Sequence, residues 1–330
     1  MADITTPFGL QRFQYFLQQL QVILSAADNE ENPALYFYQQ NARTPLFMLE
    51  ALSRVYRNIH NSKRFIKLQM RFKQLEDLLG AVDYYDGFYK EFTASKAVPD
   101  NIITFLLSKK NENLDLLKNI LITDKWPGAD STRLKKIQEK LESADWLTET
   151  AEGEEIKKYY QKSISHINEH IVDNKINFDD VETDVHELRR ELRWLSIYPQ
   201  ALRGLMQLVP TAESPGYLDK YLTGEVINSP FNKMPGGSAL KYHIHLSQNY
   251  FYALSWLIAE LGKLKDSGLR ILVVTEALMH TKKINRKQAE IESLEMLGDG
   301  QMPLEQILVK AKKLSELFFS EKIIDHLVVS

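Results

Sequence analysis

Apolar residues recur every three to four positions along most of this chain, and no stretch alternates apolar with polar residues as a half-buried strand does. Phe8, Leu10, Phe13, Phe16, Leu17, Leu20, Val22, Ile23 and Leu24 share roughly that spacing and predict a helix over 7–27. A polar break, Asp28-Asn-Glu-Glu-Asn-Pro33, precedes a second helix over 34–59, in which Pro45 predicts a kink or a restart near Thr44. Phe65, Leu68, Phe72, Leu75, Leu78 and Leu79 carry a helix over 64–92, with Gly80 as an interruption. Further helices are expected at 99–123, 131–141, 154–172, 184–198, 242–262, 267–280, 285–297 and 304–319. Between them, 210–238 holds four of the eleven prolines and Pro235-Gly236-Gly237, which predicts a long loop or short irregular helices. The fold class is therefore all-α.

Bulk properties narrow the function. The net charge of −3 excludes a uniformly basic nucleic-acid binder but permits a local basic channel, because a field depends on how charge is distributed. Nucleic acid is thus an unlikely partner. The absence of cysteine removes disulfides, thiolate metal sites and cysteine nucleophiles, and fits a reducing, cytoplasmic setting. The opening MADITTPFGLQRFQYF lacks a basic region followed by an apolar run, so no signal peptide is expected. No run approaches the about 18 apolar residues of a membrane span.

Charge is most concentrated on Asp184–Tyr198. At about 100° per residue, Val185, Leu188, Leu192 and Leu195 fall within roughly 80° of one another. His186, Arg189, Arg190 and Arg193 fall within a separate arc of about 100°. One face requires a core, and the other carries three permanent cations and a titratable fourth. Guanidinium groups suit phosphate chains because they give bidentate, charge-assisted hydrogen bonds. The plainer alternative is a solvated face paired with Glu187, Glu191 or the acidic link 173–183.

Two segments echo one another. One begins at Phe65 and the other at Tyr252. Each runs into Leu-Gly (Leu79-Gly80, Leu261-Gly262), then an acidic residue (Asp86, Asp266) and more apolar helix, and each has an arginine-bearing helix upstream. This pattern predicts a duplicated helical bundle, divided as 1–175, 176–282 and a C-terminal extension over 283–330.

Val185-His186-Glu-Leu188-Arg189-Arg190-Glu-Leu-Arg193 and Leu261-Gly262-Lys-Leu-Lys265-Asp266 resemble the two motifs of the CHAD family, the helical domain named for its histidines. The resemblance spans about 34–280. It implies two helical bundles around a basic channel that binds inorganic polyphosphate. His186, Arg189, Arg190, Arg193 and Lys265 would be contacts, with Asp266 orienting a cation. In the first repeat only Arg43 of Gln40-Asn41-Ala42-Arg43-Thr-Pro45 matches, the histidine is missing, and Tyr84 replaces an expected aspartate.

A second basic group, Lys63, Arg64, Lys67, Arg71 and Lys73 with Arg54 and Arg57 upstream, places Lys67 and Arg71 one turn apart. Its alternative is an ordinary charged outer face near Glu76 and Asp77. The candidate anion contacts are thus His186, Arg189, Arg190, Arg193, Lys265, Arg43, Lys67 and Arg71.

Two histidine pairs, His166 with His170 and His243 with His245, have no carboxylate at zinc-motif spacing, and no metal or cofactor is expected. No Gly-x-Ser-x-Gly elbow, dinucleotide glycine fingerprint or His-Glu-x-x-His is present, so an enzyme is not expected. The expected function is a non-enzymatic, polyphosphate-like polyanion binder. The alternative is a helical interaction or structural scaffold without an anion site.

Overall fold

The computed structural model describes residues 6–128, 131–172, 176–211 and 214–329. It is an all-α structure. Its helices are α1 (Phe8–Ala27), α2 (Pro33–Gln39), α3 (Arg43–Ile59), α4 (Ser62–Ser95), α5 (Asp100–Thr123), α6 (Thr132–Glu142), α7 (Glu149–Val172), α8 (Glu187–Ala201), α9 (Gly224–Ile227), α10 (Gln248–Lys282), α11 (Arg286–Leu297) and α12 (Leu304–Ser320). Two four-residue strands, β1 (Met206–Val209) and β2 (Ile244–Ser247), pair in parallel. No helix among the described residues is long and apolar enough to cross a membrane.

The chain divides into two compact units, Met1–Glu152 and Gly153–Ser330. The boundary falls inside α7. The sequence reading placed it at 175/176, beside residues 173–175, which lie outside the described residues. The expected extension 283–330 belongs to the second unit, where α11 and α12 pack on α10.

In the first unit, α3, α4 and α5 pack in sequence, and α1 lies against α3. Asn32 caps α2 by accepting from the amide of Leu35, and Pro33 occupies the first turn, where its missing N–H costs nothing. Pro45 sits in the first turn of α3, so the helix restarts near Thr44 rather than kinking. A cluster of Phe13, Tyr56, His60, Phe65 and Trp146 fills one part of the core, with ring centroids 5.3–6.1 Å apart.

A buried ion pair, Arg12 with Glu152, lies beside this cluster; the two side chains are 4% and 2% exposed. Tyr56 bridges them: Arg12 Nη1 donates to its hydroxyl at 2.7 Å, and the hydroxyl donates to Glu152 Oε1 at 2.9 Å.

In the second unit, Asp180 caps a π-helical turn, Val181–His186, by accepting from the amides of Glu182 and Thr183, and the turn leads into α8. Both the turn and α8 pack on α10. Val181, Ile271 and Ile307 form a core that α11 and α12 cover.

Two expected breaks are absent. α4 runs through Gly80, and α10 is a single helix from Gln248 where two were expected, over 242–262 and 267–280; Ile244–Ser247, expected to be helical, form β2 instead. Mid-helix glycine costs about 1 kcal/mol relative to alanine. Here the missing side chain makes room for an arginine. A Cβ on Gly80 would lie 3.0 Å from Arg43 Nη2, and one on Gly262 would lie 3.0 Å from Arg189 Nε.

The proline-rich 210–238 forms short irregular helices, with 3₁₀ turns at Gly216–Tyr221 and Pro230–Asn232 flanking α9; residues 212–213 lie outside the described residues.

Candidate functional site

The helical wheel of 184–198 describes the second unit correctly on its apolar side. Val185, Leu188, Leu192 and Leu195 are fully buried. The cationic side is half-buried rather than free in water. The π turn ends at His186, and α8 carries Arg189, Arg190 and Arg193 onward from it. π turns recur at functional sites because they displace side chains from regular helical positions.

Burial and then the charges of Lys265, Arg190, Arg189 and Arg193 push the His186 imidazole down to about 4. Five of the eight candidate contacts therefore share one electropositive neighbourhood, although Lys265 comes from a helix 79 positions further along than His186. Near neutral pH His186 is uncharged, and the charge of the cluster comes from three guanidinium groups and one ammonium.

Arg189, Arg190 and Lys265 are each held in a different way. Arg189 lies over Gly262, and its Nε donates to the Ile258 carbonyl at 3.0 Å. Burial holds its guanidinium below the usual value, and Asp266 opposes that effect. Arg190 pairs with Glu187 at 2.6 Å, with both side chains 42% exposed. Lys265 is 17% exposed and pairs at 2.7 Å with Asp266, which is 69% exposed. A pair as open as Arg190–Glu187 is worth about 0–1 kcal/mol, because water and salt screen it. A multivalent anion can displace such a partner at little cost.

The three candidates of the first unit separate. Arg43 lies over Gly80 in the manner of Arg189 over Gly262. Its Nε donates to Glu76 at 2.8 Å, its Nη1 reaches Asp83 at 3.0 Å, and its guanidinium stacks on Phe47 at 5.3 Å. Two carboxylates answer one cation, so Arg43 is not poised for a further anion. The acid beside it is Asp83. Asp86, the expected counterpart of Asp266, is instead buried against Lys90 at 2.6 Å, Lys110 at 2.8 Å and the Tyr38 hydroxyl at 2.8 Å. Burial pushes the Asp86 carboxyl up, but hydrogen bonds from Lys110, Lys90 and Tyr38 outweigh this and hold it below its ordinary value.

Lys67 and Arg71 keep company with cations that the sequence reading did not single out. Burial and then the charges of Arg71, Lys67, Arg133 and Lys136 lower the Lys140 ammonium. Arg133, Lys136 and Lys140 follow one another at three and four positions along α6, on a strip beside the buried Leu134, Ile137 and Leu141. Arg133 pairs with Asp124 at 2.8 Å. Among other members of the expected basic group, Arg54 pairs with Glu50 and Lys73 with Asp77, whereas Arg57 donates to the uncharged Gln69.

His166 and His170 of α7 meet Glu191 of α8, with one ligand atom from each lying within 4.8 Å of the others. A cleft of about 510 Å³ in the second unit is lined by Asp179, Asp180, Glu290 and Glu305 against Arg286 and Lys312, a balance that disfavours a polyanion.

The chain matches no family model, no curated protein and no solved structure.

Proposed function

We propose that the protein is a non-enzymatic module that binds a phosphate-rich polyanion such as inorganic polyphosphate through the second unit. The observation that carries this reading is the crowding of Arg189, Arg190, Arg193 and Lys265 around His186, strong enough, together with burial, to push the imidazole to about 4. A polyanion would relieve that repulsion by bringing several negative charges at once, and guanidinium groups would grip its oxygens bidentately.

The resemblance of 185–193 and 261–266 to the CHAD motifs supports the same ligand. The matching placements of Arg43 over Gly80 and Arg189 over Gly262 support descent of the two units from one helical ancestor. The first unit would then be the copy whose arginine has been captured by carboxylates.

A second reading, a helical interaction or structural scaffold, is favoured by the local pairing of Arg190 with Glu187 and Lys265 with Asp266. Titration calorimetry with polyphosphate at 50 and 200 mM salt separates the two. Four permanent cations, each contributing about −0.7 to the logarithmic salt slope, predict about fiftyfold weaker binding at the higher salt. The double variant Arg193→Gln, Lys265→Gln should bind more than about tenfold more weakly at 50 mM salt. Equally weak binding by both proteins would favour the scaffold.

A further inference from the structure

The second unit also brings together three metal-ligating side chains from neighbouring helices. His166 and His170 lie one turn apart on α7, with ring centroids 4.6 Å apart. Glu191 reaches them from α8, its Oε1 3.3 Å from His170 Nδ1. All three ligand atoms lie within 4.8 Å of one another. In a tetrahedral site with bonds of about 2.1 Å, ligand atoms stand about 3.4 Å apart. The side chains therefore need to close by little more than about 1 Å, within the reach of rotamer adjustment.

A second observation points the same way. Glu191 Oε2 is buried and has no hydrogen-bond partner among the described residues. A buried carboxylate oxygen without a donor carries a desolvation cost that a bound cation would remove. His166 is exposed, which leaves a path for an ion to enter.

We infer that His166, His170 and Glu191 form a site for a first-row transition-metal dication of the Zn²⁺ type. Two imidazoles and one carboxylate suit an ion of borderline softness, whereas Ca²⁺ and Mg²⁺ select all-oxygen sets. Three protein ligands leave a fourth position for water or another oxygen ligand. The ion would clamp the C-terminal part of α7 to α8. The inference does not rest on the polyanion reading, since it uses none of the same side chains.

The test strips the full-length protein with a chelator, then titrates Zn²⁺ by calorimetry and Co²⁺ by visible absorption. One ion per chain is expected, with the intense d–d bands of a four-coordinate Co²⁺ site. His170→Ala and Glu191→Ala should each weaken Zn²⁺ binding by more than about tenfold. His166→Ala should do the same; because that ring is exposed, the variant keeps its helical circular dichroism. The control His243→Ala, His245→Ala should bind like the wild type. Failure of the wild type to bind Zn²⁺ at 100 µM, or unchanged affinity in His166→Ala, would overturn the inference.

Discussion

Arg43 and Arg189 occupy the same kind of berth and do different things. Each lies across a glycine in the middle of a long helix, 3.0 Å from where a Cβ would be. Arg43 is met there by two carboxylates, Glu76 and Asp83. Arg189 donates to a carbonyl oxygen, that of Ile258, feels one carboxylate, Asp266, without a hydrogen bond to it among the described contacts, and stands among Arg190, Arg193, Lys265 and His186. The backbone device is shared, and the surrounding charge decides whether the arginine serves packing or remains able to attract an anion. The buried Arg12–Glu152 pair follows the pattern of the first unit, a cation fully answered by an acid.

The largest effect expected from this contrast is on stability. Glu152→Ala strands the buried Arg12 guanidinium and should cost about 3–5 kcal/mol in urea unfolding. A loss below about 1 kcal/mol would mean that Arg12 reaches water when its partner is removed.

Next comes binding. Arg43→Gln should leave polyphosphate affinity unchanged. Arg193→Gln should lower the magnitude of the logarithmic salt slope by about 0.7, as removal of one phosphate contact does. Equal effects from the two substitutions would erase the distinction between the units.

Acid should then weaken the second unit. The His186 imidazole titrates near 4 in the folded chain but near its ordinary value of about 6.5 when unfolded. Between those values the unfolded chain binds the additional proton, so this residue's contribution to stability falls as pH drops from about 6.5 to about 4. His186→Gln should flatten that part of the profile in a thermal-melt series.

The smallest effect on stability belongs to the glycine pair. Gly80→Ala and Gly262→Ala each gain about 1 kcal/mol of helix propensity and displace an arginine tip, so their stabilities should change by about 1 kcal/mol or less. Only Gly262→Ala should weaken polyphosphate binding, measured by calorimetry beside the wild type.

The helical class was legible because the spacing of Phe13, Phe16, Leu20 and Leu24, and of similar sets down the chain, leaves little freedom in which face is buried. The continuity of α4 and α10 was not legible. A glycine reads as a break until the arginine that lies against it is known, and Arg189 is 73 positions from Gly262. β1 and β2 are too short, at four residues each, to show a period.

The cluster around His186 was visible as one face of one helix together with the Leu-Gly motif that supplies Lys265. Lys140 beside Lys67 and Arg71, Glu152 beside Arg12, and Glu191 beside His166 depend on tertiary packing, which no local spacing reports.

The most direct test of the central claim is an NMR titration of the His186 ring, with and without saturating polyphosphate. A value near 4 is expected for the free protein, with an upward shift once phosphate charge neutralises the surrounding cations. An ordinary value in the free protein, or no movement when polyphosphate is added, would contradict it.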